Sequence, residues 1–279
     1  MKSIKKPELT IEEILNACIS NLTNEEVKNA LIENIGILKK YDEIFEEKVL
    51  SFELYKIEQD IEINDTANAT VLKKLYTDKL SKKGHVAREI YDKILFTAPK
   101  EKCPYCNHRI ADTLDHYLPK SNYPIYSISP INLLPACTQC NKGKTNSIPT
   151  NSAEQTLHPY FDNIEKLEWL QCEIENLPDI IFNFIPRSVF KDDDINNQRI
   201  SNHFNFYNLN ELYKSNASSE FENIKFQITR IFNNKGAEEL KDFLFEAYLS
   251  RKETDINSWQ TAFYRALYEN NDFINGGFI

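Results

Sequence analysis

Two Cys-x-x-Cys pairs, Cys103/Cys106 and Cys137/Cys140, constrain this chain more than any other feature, since they hold four of its six cysteines. Two thiolates at that spacing chelate one side of a tetrahedral ion, and two such pairs close a four-sulfur shell. Thirty residues separate the pairs, more than a compact finger needs, so an insertion must sit inside the clasp. The pattern predicts a structural Zn2+ with no open position and no water to activate. Within the insertion stand Asp115-His116 and Asn132, and Asn141 follows Cys140 directly. Imidazole titrates near neutral pH, which makes His116 the natural general base toward an attacking water. Asp115 offers a hard carboxylate oxygen and Asn141 a neutral amide oxygen, a pair suited to one Mg2+ or Mn2+. On an extended strand neighbouring side chains alternate, so Asp115 and His116 are expected on opposite sides.

The rest of the chain sets the context for that site. No run of 18 apolar residues occurs, and the start, MKSIKKPELTIEE, has basic residues with no apolar stretch behind them. A cytoplasmic protein without membrane contact is therefore expected, in a reducing compartment where paired cysteines favour metal over disulfide. The formal net charge of −9 is unevenly spread: 66–145 holds 13 Lys and Arg against 6 Asp and Glu, a net of +7, leaving −16 elsewhere. A basic centre between acidic flanks suits a chain that holds a polyanion centrally and meets a protein partner elsewhere.

Periodicity divides the chain into three regions. Residues 1–64 read as an N-terminal helical region. Thr10 with Glu13 and Thr23 with Glu26 have capping-box spacing, the first opening a stripe of Ile11, Ile14, Leu15 and Cys18. The second opens a longer helix bearing Val27, Leu31, Ile35 and Leu38, and the two helices are expected to pair as a hairpin. The stretch 51–63 is ambiguous between helix and strand. Residues 65–162 form the core, with amphipathic helices over 71–81 and 86–96 whose polar faces carry Lys73, Lys74, Lys79, Lys82, Lys83 and Arg88. Residues 163–279 begin with two strand-like runs, 167–174 and 179–185, that predict a β-hairpin. Helices follow over 198–207, 211–232, 237–251 and 258–269, and Cys18 and Cys172 are expected as buried free thiols.

The order Cys-x-x-Cys, Asp-His-x-x-Pro, Asn, Cys-x-x-Cys-Asn-x-x-Lys resembles the zinc-clasped branch of the HNH endonucleases. Its residues here are Cys103, Cys106, Asp115, His116, Pro119, Asn132, Cys137, Cys140, Asn141 and Lys144. The resemblance implies a mainly α chain around a small ββα-metal centre, an α+β architecture. It implies His116 as the base on the first strand, Asn132 tying down the loop, and Asn141 on the helix as a metal ligand beside Asp115. The third motif position is Asn here where the family name implies His, and an oxygen ligand there fits Mg2+ better than zinc. A looser likeness, through Arg88-Glu-Ile-Tyr91, 113–120, Leu157-His-Pro-Tyr-Phe-Asp162 and 199–212, is to the PtuB-like HNH proteins of Septu and retron anti-phage systems. That subgroup implies an ABC/SMC-type, PtuA-like ATPase as partner, with the acidic helical flanks as docking surfaces.

His158 and Asp162 are candidates for auxiliary metal or phosphate contacts, or else form a packing turn behind the finger. Lys120, Lys142 and Lys144 are candidate phosphate contacts, since lysine serves as a mobile point charge. The expectation is a metal-dependent phosphodiesterase acting on DNA in preference to RNA. A small hairpin-helix centre reads phosphate geometry and not base edges. The rival readings are a non-catalytic zinc-ribbon adaptor for nucleic acid or protein, and an RNA-directed HNH nuclease.

Overall fold

The computed structural model describes residues 1–192 and 194–279. They fall into two compact units, Met1–Asp162 and Asn163–Ile279, so the regions read as 1–64 and 65–162 share one unit.

The first unit opens with α1 (Ile11–Ile19), whose N-terminus carries the expected capping box of Thr10 and Glu13. The second cap lies one residue later than expected: Asn24, not Thr23, accepts from the Val27 amide and starts α2 (Glu25–Glu33). The long helix also breaks. Asn34 turns its side-chain amide back onto the Ala30 carbonyl at 2.8 Å, a local bond that competes with helix continuation. Then α3 (Ile35–Leu50) starts afresh and buries Leu38, Phe45 and Val49. Helix α1 packs on α3, the second half of the helix expected to pair with it, and on the π-type turns of 75–80. The ambiguous 51–63 stretch holds one short turn, Leu54–Lys56, because Phe52 adopts φ 60° and ends α3.

Helix α4 (Ala69–Lys74) runs into the π-type turns Leu75–Leu80, and α5 (Arg88–Leu95) follows. These flank an antiparallel pair, β1 (Thr113–His116) and β2 (Leu133–Ala136), aligned Thr113 to Ala136 and His116 to Leu133. A seven-residue helix, α6 (Thr138–Lys144), comes directly after β2. The pair is buried on both faces, which is why TLDH and LLPA do not show the alternation of a half-exposed strand. The start of the chain is tied to the cysteine segment: Lys2 N–H donates to the Pro104 carbonyl, Ile4 N–H to Pro159, and Ser3 Oγ to Asp162.

The second unit contains the expected hairpin, β3 (Leu170–Glu175) with β4 (Ile181–Pro186), and four helices near the predicted spans. These are α7 (Ile195–Phe206), α8 (Leu209–Lys235), α9 (Ala237–Thr254) and α10 (Trp259–Glu269). Strand β4 packs on α8 and β3 on α10, with Phe182, Phe184, Phe221 and Phe263 between them. Asn257, silent in the sequence, pins the hairpin's start: its Oδ1 accepts from the Trp169 and Leu170 amides, and its Nδ2 donates to the Glu165 and Leu167 carbonyls. The C-terminal tail docks through buried Phe273, Ile274 and Phe278.

Candidate functional site

The site starts from a cysteine knuckle. Asn107 takes φ 51°, folding the chain so that its N–H reaches the Cys103 carbonyl and Cys103 N–H reaches Arg109. The Arg109 amide points at Cys106 Sγ at 3.4 Å. The second pair sits at the start of α6, where Cys137 is the N-cap and accepts from the Cys140 amide at 3.3 Å. Asp112 fixes the same helix end through the Thr138 amide and hydroxyl.

All four sulfurs are buried and lie within 4.8 Å of one another. A tetrahedral Zn2+ needs sulfur–sulfur edges of about 3.8 Å, given Zn–S near 2.3 Å, so a small inward movement of the thiols meets it. The group is compatible with a zinc clasp. The hydrogen bond from Cys103 draws the Cys137 thiol below its usual value, toward the thiolate that a metal takes. Among the described residues this is the one group of His, Cys, Asp and Glu side chains gathered closely enough to hold a metal by themselves.

Asp115 and His116 lie at the end of β1, 4% and 7% exposed, and point to opposite sides as a strand requires. Asp115 faces the knuckle and α6. Its Oδ2 accepts from the Tyr105 hydroxyl at 2.9 Å, and both its oxygens lie 3.4 Å from Lys144 Nζ. Burial raises its carboxyl above the usual value, while Lys144 and Tyr105 pull it back down. His116 faces the opposite loop. Its Nε2 lies 2.9 Å from the Ser127 carbonyl, and since a carbonyl can only accept, Nε2 carries the proton and Nδ1 the lone pair. The Tyr76 ring meets the imidazole edge-on at 4.3 Å. The near-neutral titration expected of His116 is corrected here. Burial depresses it to about 3 against the pull of the Ser127 hydrogen bond, so the ring stays neutral across the physiological range.

Asn132 is fully buried and makes three hydrogen bonds: it accepts from Leu118 N–H and donates to the Leu118 and Tyr126 carbonyls. It thereby fixes both ends of the loop that carries Ser127. Asn141 stands one turn before Lys144 on α6, and residues three apart share a helix face. The face that brings Lys144 to Asp115 therefore carries Asn141 as well. Lys120 lies over the Tyr76 ring at 5.0 Å, on the side of the ring system that includes His116. Lys142 is exposed on α6.

One expected role is corrected. Lys144 is not a surface phosphate contact: it is 4% exposed, and its ammonium donates to the His116 carbonyl as well as facing Asp115. His158 and Asp162 form the packing turn, the second of the two readings given for them. His158 is enclosed by Phe45, Tyr117 and Phe161, and its Nδ1 accepts from the Tyr160 amide. Asp162 closes that turn by accepting from His158 N–H at 2.7 Å. Arg88, on the polar face of α5, is held by Asp92, the Ser81 carbonyl and the Tyr91 ring.

Tyr105, Tyr76 and Ser127 escape the sequence reading. Tyr105 was the findable one, lying between two ligand cysteines. Tyr76 sits on an ordinary amphipathic stretch, and Ser127 acts through a backbone atom that no side chain announces.

No family model matches the sequence, and no solved structure matches it. The chain is similar along its length to Protein ea31 of Escherichia phage lambda: 26% identical over 301 aligned positions, covering 99% of this chain and 100% of that protein. No helix of the described residues is long and apolar enough to cross a membrane.

Proposed function

We propose that the chain is a metal-dependent endonuclease of the HNH type that hydrolyses phosphodiester bonds in nucleic acid, with DNA as the first substrate. The observation carrying this reading is the polarised histidine. His116 donates from Nε2 to Ser127 and presents the Nδ1 lone pair, next to a buried carboxylate at the end of a strand clasped by four cysteines. The strand–loop–strand–helix order of β1, β2 and α6 supports a ββα-metal centre, with Zn2+ in the clasp as its structural ion.

The residues fit a second, hard cation. Asp115 and Asn141 supply carboxylate and amide oxygens, the hard donors such an ion takes, and Lys144 is the cation that the carboxyl group faces in its absence. When bound there, Mg2+ or Mn2+ would stabilise charge developing on the phosphate and its leaving oxygen. The chain does the rest. His116 Nδ1 accepts the proton of a water aimed at phosphorus. The Ser127 carbonyl fixes the tautomer and steadies the imidazolium that forms. Asn132 holds the Ser127 loop, and Lys120 attracts the phosphate backbone toward that side. A neutral imidazole costs no proton release before it acts, but its low basicity puts the weight of catalysis on electrostatic stabilisation.

A nicking assay with Mg2+ on supercoiled and single-stranded DNA and on RNA tests the reading. Wild type is expected to cut, and His116→Ala to lose at least a hundredfold in rate while keeping its zinc and its fold. Equal cutting by both proteins would sink the hydrolytic proposal. Absence of cutting by wild type, together with unaltered nucleic-acid binding by His116→Ala, would favour the zinc-ribbon adaptor. The resemblance to PtuB-like proteins extends the proposal to an anti-phage effector working with an ABC/SMC-type ATPase. Co-purification with a neighbouring-gene ATPase tests that part separately.

A further inference from the structure

Lys144 is an unusual residue to find enclosed. Its side chain and that of Asp115 are 5% and 4% exposed, and long ammonium side chains are buried only when paired. The pairing is specific. Nζ donates to the His116 carbonyl and lies 3.4 Å from each Asp115 oxygen, while Tyr105 occupies Oδ2 from the far side. The ammonium is thus matched to a single carboxyl group, with the Tyr105 hydroxyl and the His116 carbonyl completing its surroundings.

A divalent ion at this carboxylate would face the ammonium at close range. The ion and the ammonium would share a single buried carboxylate, which a water-poor environment penalises. Two events relieve that penalty: withdrawal of Lys144, or arrival of an anion. A phosphodiester is such an anion, and it is what the proposed activity acts on.

Resting on the nuclease reading, we propose that Lys144 is the resident counter-cation of Asp115. It keeps the carboxylate from divalent ions until nucleic-acid phosphate enters. Lys144 is then a positioning and gating residue: it touches Asp115 and the backbone of His116, and it makes ion binding depend on substrate binding. Free protein binds the divalent ion weakly, and nucleic acid raises that affinity.

The test uses the full-length, zinc-loaded protein and Mn2+ as probe, with free Mn2+ counted by electron paramagnetic resonance. Lys144→Gln removes the charge while keeping a donor for the His116 carbonyl, and Lys144→Met is the second variant should the first lose its fold. Zinc content and thermal unfolding check the fold in both. A neutral residue at 144 is expected to bind Mn2+ at least tenfold more tightly than wild type without nucleic acid. Adding Asp115→Asn to the same chain should abolish the gain. Equal or weaker Mn2+ binding by a folded, zinc-replete 144 variant overturns the proposal. If His116-dependent cutting persists in wild type, the nuclease reading survives that failure. Failure of Mn2+ to bind any variant overturns both this proposal and the assignment of Asp115 as a metal ligand.

Discussion

Asp42 shows at the residue scale how burial sets a charge. On α3, packed toward the loop after β1, its carboxyl is pushed up to about 7, by burial first, against the lowering pull of the nearby Ser129 hydroxyl and with Glu46 adding to the rise. A raised acid holds its proton in the folded state at pH values where the unfolded chain has lost it. Its contribution to stability is therefore full below about pH 4 and is lost progressively as pH climbs through 7. Asp42→Asn, which never ionises, is expected to be more stable than wild type by roughly 1–2 kcal/mol at pH 8. The gap should narrow below pH 7 and close near pH 4. Urea unfolding at the two pH values measures it, and a gap that does not change with pH would mean the carboxyl is unperturbed. Legibility at this scale follows from whether a residue acts through its own type. His116 and Asn132 could be read from the sequence because their chemistry and order identify them. The role of Lys144 could not, because a lysine at a helix end reads as surface until the fold turns it inward. Nor could burial of His116, which moves the imidazole far from the value its type suggests.

At the scale of elements, the C-terminal tail gives a sharp case. Gly276 adopts φ 96°, and a methyl group there would stand 2.7 Å from the Phe232 ring; at Gly277 it would stand 2.8 Å from the Asp272 carbonyl oxygen. The glycines let Phe278 reach both Phe232 and Phe273, stacking on the latter at 4.6 Å. Gly276→Ala is expected to cost about 1–3 kcal/mol through left-handed backbone strain and ring displacement. A thermal shift assay, with Gly143→Ala on exposed α6 as control, checks it; equal melting of the two would remove the tail from the core of the second unit. The sequence shows an apolar tail with two glycines but not what it docks on. The helices α7 to α10 and the β3–β4 hairpin were legible because their patterns are long and consistent. The break at Asn34 was not, since the Val27–Leu38 stripe runs through it unbroken and only the Asn34–Ala30 bond reveals the stop.

For the whole molecule, amphipathic patterning announces that an element is buried but not against what. That is why residues 1–64 looked separable, yet Cys18 donates to the Leu75 carbonyl and Gln155 bridges Leu54 and Val49 within one unit. The four cysteines are placed to hold that unit through a metal, since a site-bound metal contributes its binding free energy to folding. Cys137→Ser, or treatment with a strong chelator, is therefore expected to release zinc and to expose the amides of Met1–Asp162 to hydrogen exchange. Asn163–Ile279, with its own aromatic core, should keep its protection. Mass-spectrometric exchange with and without chelator resolves the two regions. Protection unchanged near Tyr105 and Leu133 after full zinc loss would show that the clasp carries no folding energy.

The pinched base of the Cys106–Cys137 segment has a consequence in chain statistics. A metal joining two points thirty residues apart acts as a cross-link that removes about 4 kcal/mol of loop entropy from the unfolded ensemble. That entropy grows only logarithmically, and each doubling of length adds about 0.6 kcal/mol. Residues inserted at the exposed tip near Ser121 would thus cost the centre little. Asp115 and His116 on one side and Asn141 on the other stay pinned, however the sequence between them is lengthened.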